Sequence, residues 1–162
     1  MRLRRLFVGS VCAIGIAAGA ACGPAVDLTT GLRLESLTTG WTDTGDGRTN
    51  RLVPAVSFRL KNASDQTLAP LQVNAIFRRA GEEHEWSNAM VTAAGSQGLP
   101  PTASTDQLII KGTLGYTGTD PQWDMLHNSH FVDAKVDLFA RSGSQQWTRI
   151  GEYAIARQIV ER

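Results

Sequence analysis

The chain has 162 residues, of which 42% are hydrophobic, enough for one domain with a sizeable buried core. Its 16 Lys and Arg nearly balance 15 Asp and Glu, and loss of Arg2, Arg4 and Arg5 with an export signal would leave 13 against 15. That balance, with no basic run beyond Arg78-Arg79, excludes a nucleic-acid protein, which needs a concentrated basic stripe.

Residues 1–21 read as a signal peptide. Arg2, Arg4 and Arg5 form a cationic start, the uncharged run from Leu6 follows, and Gly19, Ala20 and Ala21 are small enough for a signal peptidase cleft. The run is shorter than the roughly 20 residues of a membrane-spanning helix and is rich in Ala and Gly. Gly19-Ala20-Ala21-Cys22 resembles the lipobox of bacterial lipoproteins, which implies lipid on the Cys22 sulfur, with Cys22 as the first mature residue. Gly19 stands where that pattern usually carries Leu or another branched apolar residue, and Ala18-Gly19-Ala20 also fits ordinary secretory cleavage. Cys12 leaves with the signal, so Cys22 remains alone and no internal disulfide can form.

Residues 22–30 have little periodicity and read as a short tether; residues 31–162 read as one domain. Leu32 to Leu37 is near-alternating and Trp41 follows, which predicts a first strand ended by the Gly/Asp/Asn-rich loop from Thr42 to Asn50. Val53 to Lys61 is the clearest strand, with Val56, Phe58 and Leu60 on one face and Ser57, Arg59 and Lys61 on the other. Leu71, Val73, Ala75 and Phe77 repeat the pattern, with Ile76 out of step. Trp86, Asn88 and Met90 share a parity in a weaker strand. After a Pro/Gly/Ser crossing from Gly95 to Asp106, Leu108, Ile110, Leu114 and Tyr116 resume period two. Asp120-Pro121 reads as an N-cap and first helical residue of a two-turn helix that buries Trp123 and Leu126. Val132, Ala134, Val136, Leu138 and Ala140 form another inward set, with Phe139 breaking the outward one. The mixed parity from Trp147 to Ile159 predicts an edge strand or a bulge.

Short strands, frequent turns and no parallel crossover units predict an all-β fold, an antiparallel immunoglobulin-like β-sandwich of about seven strands with one short helix. The Val53 to Glu82 segment resembles bacterial exported Ig-like domains of the FxLYD type. The likeness lies in Lys61-Asn62-Ala63-Ser64-Asp65, Leu68, the run Leu71 to Phe77, and the Gly81 turn. Arg78-Arg79 stands where that family shows Tyr-Asp, and the name-giving motif is missing. The resemblance implies an extracytoplasmic accessory or binding module and brings no catalytic residues.

Asp124, His127 and His130 are spaced three apart, the pattern of a metal face on a continuous helix, although Asn128-Ser129 favours an end to the helix before the third. His84 among Glu82, Glu83 and Glu85 reads as a solvated hairpin tip. Asp43-Thr44-Gly45-Asp46-Gly47 has a calcium-loop flavour without the bidentate Glu that such a loop needs. Gly112, Gly115 and Gly118 lack the Lys and Ser or Thr of a phosphate loop. Trp41, Trp86, Trp123 and Trp147 read as core or rim rather than as a groove. No nucleophile elbow occurs, so no catalytic, cofactor-binding or metal residue is assigned, and Cys22 is the one candidate site, for lipid. The expectation is a non-catalytic, lipid-anchored module of the bacterial cell envelope that binds or scaffolds another envelope protein. Its alternative is a small metal-dependent or hydrolytic enzyme built on Asp124 to His130.

Overall fold

Residues 50–62 are the spine. Alternation of Val56, Phe58 and Leu60 with Ser57, Arg59 and Lys61 lets one face turn dry while the other stays wet, and in the computed structural model the three apolar side chains are fully buried. The model describes residues 24–160; the signal segment, Cys12 and Cys22 lie outside the described residues. Its elements are α1 (Leu28–Gly31), β1 (Leu32–Asp43), β2 (Asn50–Asn62), β3 (Leu71–Arg79), β4 (Ser87–Ala94), β5 (Leu108–Lys111), β6 (Tyr116–Gly118), α2 (Gln122–His127), β7 (Ala134–Ser142) and β8 (Thr148–Ala154).

They form an all-β, immunoglobulin-like sandwich of two antiparallel sheets, β1-β2-β5 with β6 also on β2, and β4-β3-β7-β8. β5 pairs with Ala55 to Phe58 and β6 with Asn50 to Leu52, so the two are parts of one interrupted strand and the eight strands fill seven positions. Between them β2 carries Pro54, which has no N–H to offer a neighbour; there the β5–β6 connection detours, and Gly112 N donates to Pro54 O at 2.8 Å. The detour needs Gly115, because a Cβ there would lie 2.1 Å from the Leu52 carbonyl oxygen.

Leu71, Val73, Ala75 and Phe77 of β3 and Val136, Leu138 and Ala140 of β7 face the β2 set, all with no exposed surface. Each such Val, Leu or Phe contributes roughly 1.5–3 kcal/mol by burial, well above an exposed ion pair, so apolar burial holds the sheets together. Ile76 and Phe139, which break the alternation, are half-buried diagonal neighbours on the outer face, since Asn74 pairs with Phe139 and Ile76 with Asp137. In β1 a bulge between Glu35 and Thr38, with Ser36 at φ 52°, shifts the inward parity from Leu34 to Leu37 and Trp41. A bulge between Leu138 and Phe139 accounts for the mixed parity of edge strand β8.

Several expectations need correction. In β4 the parity that Asn88 and Met90 share is the outer one: Ser87 is buried and Ala89, Val91 and Ala93 face in, whereas Asn88 and Met90 are exposed. Trp86 lies just before the strand and reaches the core from the turn, so it does not fix the strand's parity. Leu114, in the detour, is 48% exposed, and Val132, before β7, is also exposed. Pro121, not Asp120, is the N-cap of α2, and the helix turns Met125 and Leu126 inward, leaving Trp123 65% exposed. Leu28, within the 22–30 segment, is buried, because Asp27 caps the single turn of α1 by accepting from Thr29 N.

The sandwich has two distinct ends. One gathers α1, the 62–71 connection and the 142–148 turn, and there Gln66 Nε2 donates to Pro24 O at 3.0 Å. The other carries the 43–50 loop, the 79–87 turn and α2. From β8 the chain runs on beside β1 in parallel, with Trp41 N donating to Gln158 O and Val160 N to Trp41 O. Gly40 permits this approach, since a Cβ there would lie 2.7 Å from the Val160 side chain.

Candidate functional site

The candidate clusters weighed in the sequence do not converge. Asp124 and His127 lie on α2 and His130 beyond its end; the His127 ring stacks on Trp123 with centroids 3.9 Å apart, and its Nδ1 lies 2.8 Å from Trp123 O. Among the described residues, no three His, Cys, Asp or Glu are grouped to hold a metal ion. His84 is exposed at the 80–86 turn, where Glu82 pairs with Arg79 and Glu85 accepts from Asn88.

In the 43–50 loop the carboxylates serve the backbone. Asp43 Oδ1 accepts from Gly45 N and Arg51 N, and Asp46 from Arg48 N and Thr49 N. The Thr49 and Arg48 amides stabilise the ionised form of Asp46 and lower its pKa. These bonds fold a hairpin tip held by side-chain to backbone hydrogen bonds.

The four tryptophans part company. Trp41 is fully buried and meets Trp86, Tyr116 and Phe131 at centroid distances of 6.3, 5.7 and 4.8 Å, in a cluster at the end remote from Pro24. Its indole N–H is buried without a hydrogen-bond partner among the described residues. Trp147 lies instead under the Arg141 guanidinium, 4.6 Å from it. Beside the aromatic cluster, Tyr116, Gly118, Met125, Asn128, His130 and Phe131 line a cavity of about 190 Å³. That is smaller than the roughly 300 Å³ at which ligand pockets begin and suits one side chain rather than a cofactor. Tyr116 Oη donates to Val132 O at 3.1 Å, and burial raises the phenol's pKa above its ordinary value.

Two polar arrangements escape the sequence pattern. Asn62, at the inward end of β2, is fully buried, donates from Nδ2 to Gln66 O and Leu99 O, and accepts at Oδ1 from Ser64 N and Ser64 Oγ. The Asn62 side chain is thus turned inward, while Ala63 after it is exposed. On the outer face of the second sheet, Asp137 is only 4% exposed because Arg78 and Arg149 close over it, and Arg149 also reaches Glu152. The signals were an Asn at an inward parity and an acid flanked in register by cationic strands; both are visible only once pairing is known.

No protein-family model and no curated protein matches the chain. Among solved structures it is similar to the X-ray structure of Northeast Structural Genomics Consortium target SoR45, at 15% identity over 80% of this chain and 89% of that one, with a TM-score of 0.42.

Proposed function

We propose that this protein is a non-catalytic, membrane-tethered module of the bacterial cell envelope, anchored through lipid on Cys22, that binds or scaffolds another envelope protein. The observation that carries this reading is the ordered run of cationic start, apolar stretch and small residues ending at Cys22, two positions before Pro24. Pro24 is already held to the sandwich by Gln66, so an anchor at Cys22 would keep the domain close to the bilayer and fix which end faces it. A single acyl chain binds membranes only marginally, and the multiply acylated Cys of lipoproteins would hold the domain stably.

The test is metabolic labelling with a radioactive fatty acid together with intact-mass measurement of the purified protein. Label on the wild type and its loss in Cys22→Ala, with release of that variant from the membrane fraction, is the expected outcome. A wild-type mass equal to that of unmodified polypeptide would rule the lipid anchor out.

A further inference from the structure

The sandwich has four strand edges, and three are blocked. β1 is bulged between Glu35 and Thr38 and covered from Thr39 to Thr42 by the chain around Gln158 to Val160, β8 is bent by its bulge and carries Arg149 and Glu152, and the β5–β6 edge is broken at Gly112 to Gly115. β4 is different. Ser-Asn-Ala-Met-Val-Thr-Ala-Ala contains no charge and no proline, and beyond Ser87 its outer edge has no backbone partner among the described residues. Its inward residues Ala89, Val91 and Ala93 remain only partly buried, whereas those of β3 beside it are fully buried. Across the interior β4 faces β5, and Ser87 Oγ accepts from Thr113 N at 2.6 Å, so what β4 lacks among the described residues is a strand along its edge, not a cover over its face.

We propose that β4 is a docking edge that accepts an extended segment of another polypeptide as an added strand, which deepens the binding role above and rests on it for the choice of partner. A second copy fits poorly. Antiparallel pairing of two β4 strands would set the two Pro24 ends at opposite ends of the joint edge, whereas two anchors in one membrane need them on the same side. Parallel pairing would bring the exposed Glu83 and Glu85 of both copies together. The partner is therefore a different chain, a run of small and β-branched residues ending in Lys or Arg where it passes Glu83 and Glu85.

The probe is a synthetic peptide of alternating Thr and Val with two Lys at one terminus, compared with the same peptide ending in two Glu, added to the full-length protein in detergent. Amide hydrogen exchange in residues 88–94 slows about tenfold at saturating Lys peptide. The Lys peptide binds about two- to fivefold more tightly than the Glu peptide, and Glu83→Gln with Glu85→Gln removes that preference. Slowing elsewhere but not at 88–94, or equal binding of both peptides by the wild type, overturns the proposal. So does sedimentation showing a dimer whose formation protects 88–94. Because the measurement is made in detergent, its failure is separate from a failure of the lipid anchor, which the fatty-acid label reads.

Discussion

Asn62 shows how one polar side chain can replace a stretch of secondary structure. Its four bonds hold the 62–71 connection where β2 leaves the first sheet for the second, the one to Leu99 O fully buried and the other three partly so. Asn62→Ala strips the Gln66 and Leu99 carbonyls of this donor, so we expect a loss of about 2–4 kcal/mol in denaturant unfolding. Asn62→Asp keeps the acceptor and loses the donor, and is expected to fall between Ala and wild type only if protonated. Tyr116 gives a pH dependence of definite sign. Burial raises its pKa, so the folded protein holds the phenol proton more tightly than the unfolded chain does. The resulting stability is complete below the ordinary value of 10.0 and is lost as pH rises from there through the folded pKa. Absorbance titration should show a late tyrosinate wave that Tyr116→Phe removes.

At the scale of elements, legibility followed burial. β2, β3 and β7 each face the core with one side, so hydrophobic alternation identified their inward residues without further information. Edge strand β4 lacks that constraint, and Met90 on its outer side outweighed Ala89 and Val91 in the pattern. Trp123 misled for a related reason: in a six-residue helix lying across the end of the sandwich, two adjacent positions can face the core, and Met125 and Leu126 do. Pro54 in a strand with neighbours on both sides runs against the usual confinement of proline to edges. The split between β5 and β6 resolves it, a pairing fact that no local pattern contains. Gly115→Ala, which would press against the Leu52 carbonyl oxygen, is expected to cost about 1–3 kcal/mol in thermal or denaturant unfolding, whereas the same change at exposed Gly95, whose added Cβ meets nothing, should cost far less. Equal effects at the two glycines would remove the close-packing explanation.

On the scale of the whole molecule, the fold is polar along its strands. Pro24 lies at one end near the 142–148 turn and Trp147, while α2 with exposed Trp123 caps the other. The thirteen residues of β2 separate the ends by about 40 Å. With Cys22 lipidated and the protein in vesicles of brominated phospholipid, we expect fluorescence from Trp147 to be quenched and that from Trp123 to be spared, as read from the Trp123→Phe and Trp147→Phe variants. The reverse pattern would contradict the orientation while leaving lipidation itself untouched. No hydropathy pattern predicts this polarity, because it depends on which loops share an end.

The parallel run beside β1 has a mechanical consequence. A load drawn between Pro24 and Val160 pulls β1 and the closing segment lengthwise past one another, so it acts in shear across the bonds that join them. These include Trp41 N to Gln158 O at 2.8 Å, Gln158 Nε2 to Thr39 O at 2.7 Å and Thr39 Oγ1 to Ala154 O at 2.8 Å. Bonds set across the pulling direction must yield together, whereas a hairpin pulled open at its mouth gives way one rung at a time. The clasp around Trp41 therefore resists extension along the long axis more than a hairpin of the same length opened from its end would.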